Sequence, residues 1–125
     1  MKIYVMSDIH GCDSQLKENL ALIDLDDSQN QVIFLGDYID YGDDSCRAVY
    51  RIMELSQRYP GQVTALKGNH EQMFLDFLNC SDQDVWNFEW LSSDQGFKTV
   101  RSFVSQEVFD QFVTISTTRL TGGLL

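Results

Sequence analysis

The chain has 125 residues, enough for one domain with a single hydrophobic core. Nine lysines and arginines stand against 19 aspartates and glutamates, so the formal net charge is −10. An acidic chain repels phosphate backbones and anionic lipid, which argues against a nucleic-acid-binding surface and against a membrane surface. If the substrate is an anion, a positive charge such as a metal ion has to come from outside the sequence.

The compartment is predicted from apolar runs and cysteines. No run approaches the roughly 18 apolar residues of a membrane span, and the N-terminal apolar stretch is too short for a signal peptide. The three cysteines, Cys12, Cys46 and Cys80, lie far apart and form no C-x-x-C motif. This pattern is typical of reduced thiols, so we expect a cytoplasmic protein.

Short β-rich segments alternate with helical patterns along the first eighty residues. Strands are predicted over 2–7, 31–35 and 62–66, and helices over 14–23, 45–59 and a segment that follows Glu71. Asp13 or Ser14 is the predicted N-cap of the first helix. Strand, loop and helix in three successive repeats predict an α/β fold with parallel strands.

The pattern is weaker after residue 80. Short amphipathic helices are predicted over 84–91 and 97–112, separated near Gly96, and a strand over 113–120. We assign residues 1–80 to a region that holds three polar motifs. Residues 81–125 are assigned to a helical continuation and tail of the same domain.

Unusual polar residues follow each predicted strand. They are Asp8 and His10 after the first strand, Asp37 and Asp40 after the second, and Asn69 and His70 after the third. The carboxyl ends of adjacent parallel strands share one edge of a sheet, where ligand sites form, so the six side chains are expected to converge.

Three carboxylates in one crevice require a counterion. Two such charges about 4 Å apart repel by about 4 kcal/mol at an effective dielectric constant near 20. Metal cations remove this repulsion, and Asp, Asn and His are suitable ligands. Each motif alone is more typical of a solvated turn or a helix cap. Only the same placement after three successive strands favours a metal site.

The three motifs resemble the leading motifs of the calcineurin-like metallophosphoesterases, in order and in context. They are Asp8-Ile9-His10-Gly11, Gly36-Asp37-Tyr38-Ile39-Asp40 and Gly68-Asn69-His70-Glu71. The residues of the motifs are most similar to those of the phosphoprotein phosphatase branch. This branch includes bacterial serine/threonine phosphatases and symmetrical diadenosine tetraphosphatases. The resemblance covers residues 1–80. It implies a partial α/β sandwich whose second sheet is largely missing, as in an N-terminal half of the family domain.

The resemblance also implies a site for two divalent cations. Asp8 and His10 would bind the first cation, Asp37 would bridge both, and Asn69 would bind the second. Manganese is the expected metal, with iron, zinc, nickel and magnesium as alternatives. A bridging carboxylate suits two cations about 3.5–4 Å apart, the spacing at which they can activate water and hold phosphoryl oxygens.

By the same resemblance His70 would be the general acid, held by Asp40. Histidine exchanges protons near neutral pH, and a carboxylate partner fixes its tautomer. Members of this branch usually carry a phosphate-binding arginine where this chain has Tyr41, and Arg47, one turn into the next helix, is the candidate replacement. The family also completes its metal pair with later histidines, whereas this chain contains only His10 and His70.

These features predict a metal-dependent phosphoesterase that acts on a phosphorylated protein or on a dinucleoside polyphosphate. With so few histidine ligands, the 125 residues are expected to be a truncated and impaired form. The alternative is a non-catalytic fragment that binds one metal weakly, or that pairs with itself or another chain through an exposed sheet edge.

Overall fold

A three-stranded parallel sheet forms the centre of the computed structural model, which describes residues 1–80, 89–92 and 94–104. The strands are β1 (Ile3–Met6), β2 (Gln31–Phe34) and β3 (Val63–Ala65), in the order β1-β2-β3. Ile3 pairs with Gln31 and Val32 pairs with Val63. The predicted α/β fold with adjacent parallel strands is therefore confirmed.

Helices connect the strands and continue beyond the third. They are α1 (Asp13–Leu20), α2 (Ser45–Arg58), α3 (Asn69–Asn79), α4 (Glu89–Ser92) and α5 (Asp94–Phe103). None of the helices in the described ranges is long and apolar enough to cross a membrane.

The start of α1 differs from the prediction. Its N-cap is Cys12, and no side chain caps the first turn, so the prediction of Asp13 or Ser14 as the N-cap is wrong. The carboxylate of Asp13 instead binds the guanidinium of Arg51 on α2. A charged partner is a stronger attraction for a carboxylate than the backbone N–H groups of a helix end.

The predicted break near Gly96 is also wrong, because Gly96 lies inside α5. This glycine is buried, and a Cβ at its position would overlap the main-chain carbonyl of Trp90. Its lack of a side chain therefore lets α5 pack directly against α4. The predicted helix over 84–91 lies in the described ranges only from residue 89. Residues 105–112 of the next predicted helix and the predicted strand over 113–120 lie outside them.

One face of the sheet forms the core, and the described residues leave the other face about half exposed. Val32 and Phe34 of β2 are fully buried, and their neighbours in the core include Leu16, Ala48 and Ile52 from α1 and α2. On the opposite face the exposed fractions of Ile3, Val5, Leu35 and Leu66 are 53%, 57%, 47% and 49%. Parallel sheets usually carry cover on both faces, so this apolar face is unusual.

Candidate active site

Hydrogen bonds between main-chain groups join the loops that follow β1 and β2. Asp8 N–H donates to the carbonyl of Gly36 (3.3 Å), and His10 N–H donates to that of Asp37 (3.0 Å). Gly11 N–H donates to the carbonyl of Tyr38 (2.7 Å). These bonds continue the pairing of the two strands, so the polar motifs of both loops lie at the same sheet edge.

Both loops contain residues with a left-handed backbone that are not glycine. Their φ angles are 56° at Asp8, 45° at His10, 60° at Asp37, 73° at Asp40 and 69° at Tyr41. Such a conformation costs a non-glycine residue on the order of 1–3 kcal/mol, and it persists only where the surroundings enforce it. Four of the five are predicted site residues, so the backbone strain is concentrated at the candidate site.

Asp8, His10 and Asp37 form a group that could hold a metal ion. One ligand atom from each lies within 4.8 Å of the ligand atoms of the other two. His10 Nδ1 lies 2.8 Å from the carbonyl oxygen of Ile39, which can only accept, so Nδ1 carries the proton. In the neutral ring Nε2 is then a free lone pair, 3.5 Å from Asp8 Oδ1. A ring nitrogen fixed through a backbone carbonyl is the usual arrangement of a metal-binding histidine, so the residues fit a divalent cation.

Asn69 lies beside the same carboxylate. One terminal atom of its amide is 3.0 Å from Oδ1 and 3.2 Å from Oδ2 of Asp37. With the amide nitrogen in that position, Asn69 donates to Asp37 without a cation. With the amide oxygen there, both residues present oxygen atoms to one point, as a shared cation requires. The first helical turn of α3 also brings the His70 N–H to 3.2 Å from Asp37 Oδ1.

Glu71 fixes the loop that carries Asp37, a role that was not predicted from the sequence. Its Oε1 accepts hydrogen bonds from the N–H groups of Asp37 (2.6 Å) and Gly68 (2.9 Å), and its Oε2 accepts one from Tyr38 (2.9 Å). A Cβ at Gly68 would overlap the Asp37 carboxylate, so the glycine is needed for this close approach. The signal available in the sequence was a glutamate at the third position of a helix, where such side chains bind back to the N-cap.

His70 and Asp40 form a hydrogen-bonded pair. Nδ1 of His70 lies 2.8 Å from Oδ2 of Asp40, whose side chain is fully buried. Two further donors reach the same carboxylate: Trp90 Nε1 lies 2.6 Å from Oδ2, and Thr99 Oγ1 lies 2.5 Å from Oδ1. Neither was predicted, because they lie 50 and 59 residues away along the chain and no local motif marks them.

The imidazoles of the two motifs are neighbours. The ring centroids of His10 and His70 are 4.8 Å apart, and Tyr41 lies 4.8 Å from the first and 5.6 Å from the second. The candidate acid is therefore adjacent to the candidate metal group. Tyr41, with half of its surface exposed, lies next to both rings.

Arg47 does not join this cluster. It is exposed on α2 and lines an open groove of about 410 Å³ with Tyr50 and Arg51. Its positive charge contributes to lowering the pKa of Asp13, on the α1 side of the helix. Within the described part of the chain, no hydrogen bond or ion pair joins Arg47 to another predicted site residue.

The electrostatics of the site are dominated by negative charge. None of the ion pairs that lysine or arginine forms within the described ranges involves Asp8, Asp37 or Asp40. The buried phenol of Tyr38 has its pKa raised to about 12, mainly by desolvation and then by the charge of Glu71. It stays neutral and donates to the carbonyl of Leu66. Within the described ranges, no lysine or arginine forms an ion pair that balances the carboxylates of the crevice.

The match to a family model defines the class of this chain. The model of the calcineurin-like phosphoesterases matches residues 1–123, so the chain belongs to this family. Family membership, inferred above from three motifs, is confirmed.

Individual relatives come from the phosphoprotein phosphatases. The chain is 37% identical over 84 residues to serine/threonine-protein phosphatase 1 of Salmonella typhimurium, a match that covers 67% of this chain and 36% of the relative. It is 39% identical over 72 residues to serine/threonine-protein phosphatase SIT4 of Candida albicans, covering 55% and 23%. A third relative, the PP2A-like phosphatase PPG1 of Candida albicans, is 34% identical over 98 residues, covering 69% and 23%. The chain thus matches about a quarter to a third of the length of these relatives.

Proposed function

We propose that this chain carries the cation-binding and acid groups of a metal-dependent phosphoesterase that hydrolyses phosphomonoesters on proteins. The observation that carries the proposal is the adjacency of two groups at one sheet edge. His10, with Asp8 and Asp37 around it, lies 4.8 Å in ring-centroid distance from His70. The relatives are serine/threonine-protein phosphatases, which supports a phosphoprotein substrate.

The proposed cation ligands are the candidate site residues whose ligand atoms lie closest together. Asp8, His10 and Asp37 would hold a first divalent cation, and Asp37 with Asn69 a second, with Mn²⁺ as the proposed metal. When bound, such cations neutralise the carboxylates, attract phosphoryl oxygens and acidify water. The Ile39 carbonyl holds the His10 ring at Nδ1, which leaves Nε2 as the nitrogen that would bind the first cation.

His70 would handle the proton of the leaving group. Its Nδ1–H donates to Asp40, so the proton that moves is carried at Nε2, which gives it to the leaving oxygen when the ester bond breaks. Asp40 stabilises the charged imidazole and keeps its ring in one orientation. Because Asp40 is fully buried and has three side-chain donors, its carboxylate cannot rotate away without losing hydrogen bonds.

We also propose that residues 1–80 and 81–125 belong to one domain. Support comes from contacts across that boundary within the described ranges. Thr99 of α5 donates to Asp40, and Ser102 of the same helix accepts from the N–H of Cys46. The polar motifs of the first part therefore depend on a helix of the second.

A phosphate-binding experiment tests the proposed function without requiring turnover. Mn²⁺ is first titrated into the chain by calorimetry, and the ³¹P line width of orthophosphate is then measured with the Mn²⁺-loaded chain. We expect strong broadening, because phosphate bound at the cations lies close to paramagnetic Mn²⁺. The variant Asp37→Asn should show little broadening beyond that caused by free Mn²⁺. Bound Mn²⁺ without added broadening of the phosphate signal over free Mn²⁺ would contradict the proposal.

A second candidate is a non-catalytic module that pairs with a second copy of the chain. It is favoured by the open apolar face of the sheet, where Ile3 and Val5 are more than half exposed. Sedimentation equilibrium with and without Mn²⁺ separates the two candidates. A metal-independent dimer that binds no phosphate would favour the second. A chain that binds phosphate with Mn²⁺ favours the first.

A further inference from the structure

Thr99 contacts Asp40 at two points. Its hydroxyl accepts a hydrogen bond from the Asp40 N–H, with Oγ1 and N 3.0 Å apart, and donates to the Asp40 carboxylate at Oδ1, 2.5 Å away. A hydroxyl has one hydrogen and two lone pairs, so both bonds can exist at once. One side chain thus holds the main chain and the carboxylate of Asp40 together.

Asp40 needs this support for two reasons. Its φ is 73°, in the left-handed region that a non-glycine residue adopts only when held there. Its side chain is fully buried, so every oxygen without a donor is costly. With Oδ1 bound by Thr99, the other oxygen, Oδ2, is directed at the imidazole of His70.

Thr99 is itself held in a fixed position. It is fully buried, and its β-branched side chain has few rotamers within a helix. One turn further along α5, Ser102 Oγ accepts from the N–H of Cys46 (3.0 Å) and donates to the carbonyl of Thr99 (2.7 Å). These bonds attach α5 to α2, so the Thr99 hydroxyl has a rigid base.

We propose that Thr99 is a positioning residue for the His70–Asp40 pair. It fixes the backbone and the carboxylate of Asp40 so that Oδ2 stays within hydrogen-bond distance of His70 Nδ1. This geometric role goes beyond the proposed function and does not depend on it. Its kinetic consequence, a lower kcat with KM unchanged when the hydroxyl is removed, rests on the proposed function.

Magnetic resonance of the ¹⁵N-labelled chain at fixed pH tests the geometric role. The chain contains only two histidines, so the ring signals can be assigned with His70→Asn. In Thr99→Val, which keeps the shape but lacks the hydroxyl, we expect loss of the slowly exchanging Nδ1–H signal of His70. The Asp40 amide should exchange faster by up to about tenfold, because Ser45 Oγ, 3.2 Å from the same nitrogen, remains as a second acceptor. Thr99→Ser should restore both signals.

The matched control is Ser102→Ala. This variant removes a hydroxyl from the same helix that bonds only to main-chain groups away from Asp40. It should weaken the His70 ring signal less than Thr99→Val does, because the Thr99 hydroxyl and both of its bonds to Asp40 remain. Equal effects of Thr99→Val and Ser102→Ala, or no change in Thr99→Val, would overturn the positioning role.

A measurement on the unmodified chain covers the case in which Thr99→Val does not fold. If Thr99 holds Asp40, the Asp40 amide exchanges far more slowly than an exposed loop amide such as that of Ser28. Rapid exchange at Asp40 in the folded chain would overturn the proposal. None of these measurements requires phosphate binding or turnover, so failure of the proposed function would leave them unaffected.

Discussion

Arg51 of α2 and Asp13 at the start of α1 form an ion pair with two hydrogen bonds. Nε lies 2.7 Å from Oδ1 and Nη2 lies 2.9 Å from Oδ2. The Asp13 side chain is 8% exposed, so this carboxylate is nearly removed from water and relies on Arg51. The pair connects the first two helices just beyond the loop that carries Asp8 and His10.

The first prediction concerns the pH dependence of this pair. The hydrogen bond from Arg51 lowers the pKa of Asp13 below its ordinary 3.8, although desolvation acts in the opposite direction. A lowered folded-state pKa means that the pair stabilises the fold above about 3.8 and loses this effect as the pH falls through the folded value. Arg51→Gln should therefore cost about 2 kcal/mol of unfolding free energy at neutral pH and progressively less in acid. Urea unfolding at several pH values measures this difference.

The control for that series is Arg58→Gln, which removes an exposed arginine from the last turn of the same helix. Its cost should be small and should change little over the acid range in which the effect of Arg51→Gln shrinks. A cost of Arg51→Gln that stays constant down to acid pH would show that Asp13 is not the partner that matters.

The second prediction concerns Glu71. Its carboxylate accepts three N–H groups, and the amide of Glu71→Gln offers only one oxygen. At least one partly buried N–H then loses its acceptor, which should cost about 2 kcal/mol of stability. The Asp37 loop should also loosen, and Mn²⁺ should bind about tenfold more weakly, the usual cost of removing a residue that orients a metal ligand. Chemical unfolding and calorimetry measure the two effects.

Glu18→Gln removes the same charge from an exposed position on α1 and serves as the comparison. It should change neither quantity appreciably. If Glu71→Gln and Glu18→Gln weaken Mn²⁺ equally, the effect is one of net charge and the positioning explanation fails.

The third prediction compares two proposed metal ligands. Asp37 is the one carboxylate proposed to contact both cations, while Asn69 is proposed to contact one. Asp37→Asn, which keeps an acceptor for the His70 N–H, should therefore reduce Mn²⁺ affinity more than Asn69→Ala does. Titration calorimetry decides the order. Equal or reversed losses would argue against a bridging role for Asp37.

The fourth prediction concerns turnover by the 125 residues alone. Among the described residues, Asp37 and Asn69 are the two proposed protein ligands of the second cation, and hard divalent ions held mostly by water dissociate readily. Tyr41 occupies the position at which members of the phosphoprotein phosphatase branch usually carry a phosphate-binding arginine. We expect little or no hydrolysis of p-nitrophenyl phosphate or diadenosine tetraphosphate, even with excess Mn²⁺. Steady hydrolysis that scales with protein concentration and disappears in His70→Ala would disprove this prediction.

Local sequence patterns predicted the sheet, and they predicted that the motif residues lie at one edge of it. Continuous apolar runs such as 31–35 indicate buried strands, and polar residues directly after them must share an edge once the strands are parallel. The left-handed backbone of Asp37 and Asp40 has no such signal, because the conformation is enforced by surrounding contacts and not preferred by aspartate itself. The hydrogen-bond donors Trp90 and Thr99 could not be predicted either, because their partner Asp40 is distant in sequence and no local pattern marks them.

The bond between Asp40 and Thr99 also sets an order of assembly during synthesis. The two residues are 59 positions apart, so the strands and α2 are made long before α5 exists. Until α4 and α5 emerge from the ribosome and dock, the Asp40 carboxylate lacks two of its three side-chain donors, Trp90 and Thr99. The cation group formed by the first two loops can therefore take shape early. The acid pair matures only when a much later segment has been translated, which makes α4 and α5 the last contributors to a site whose motifs all precede them.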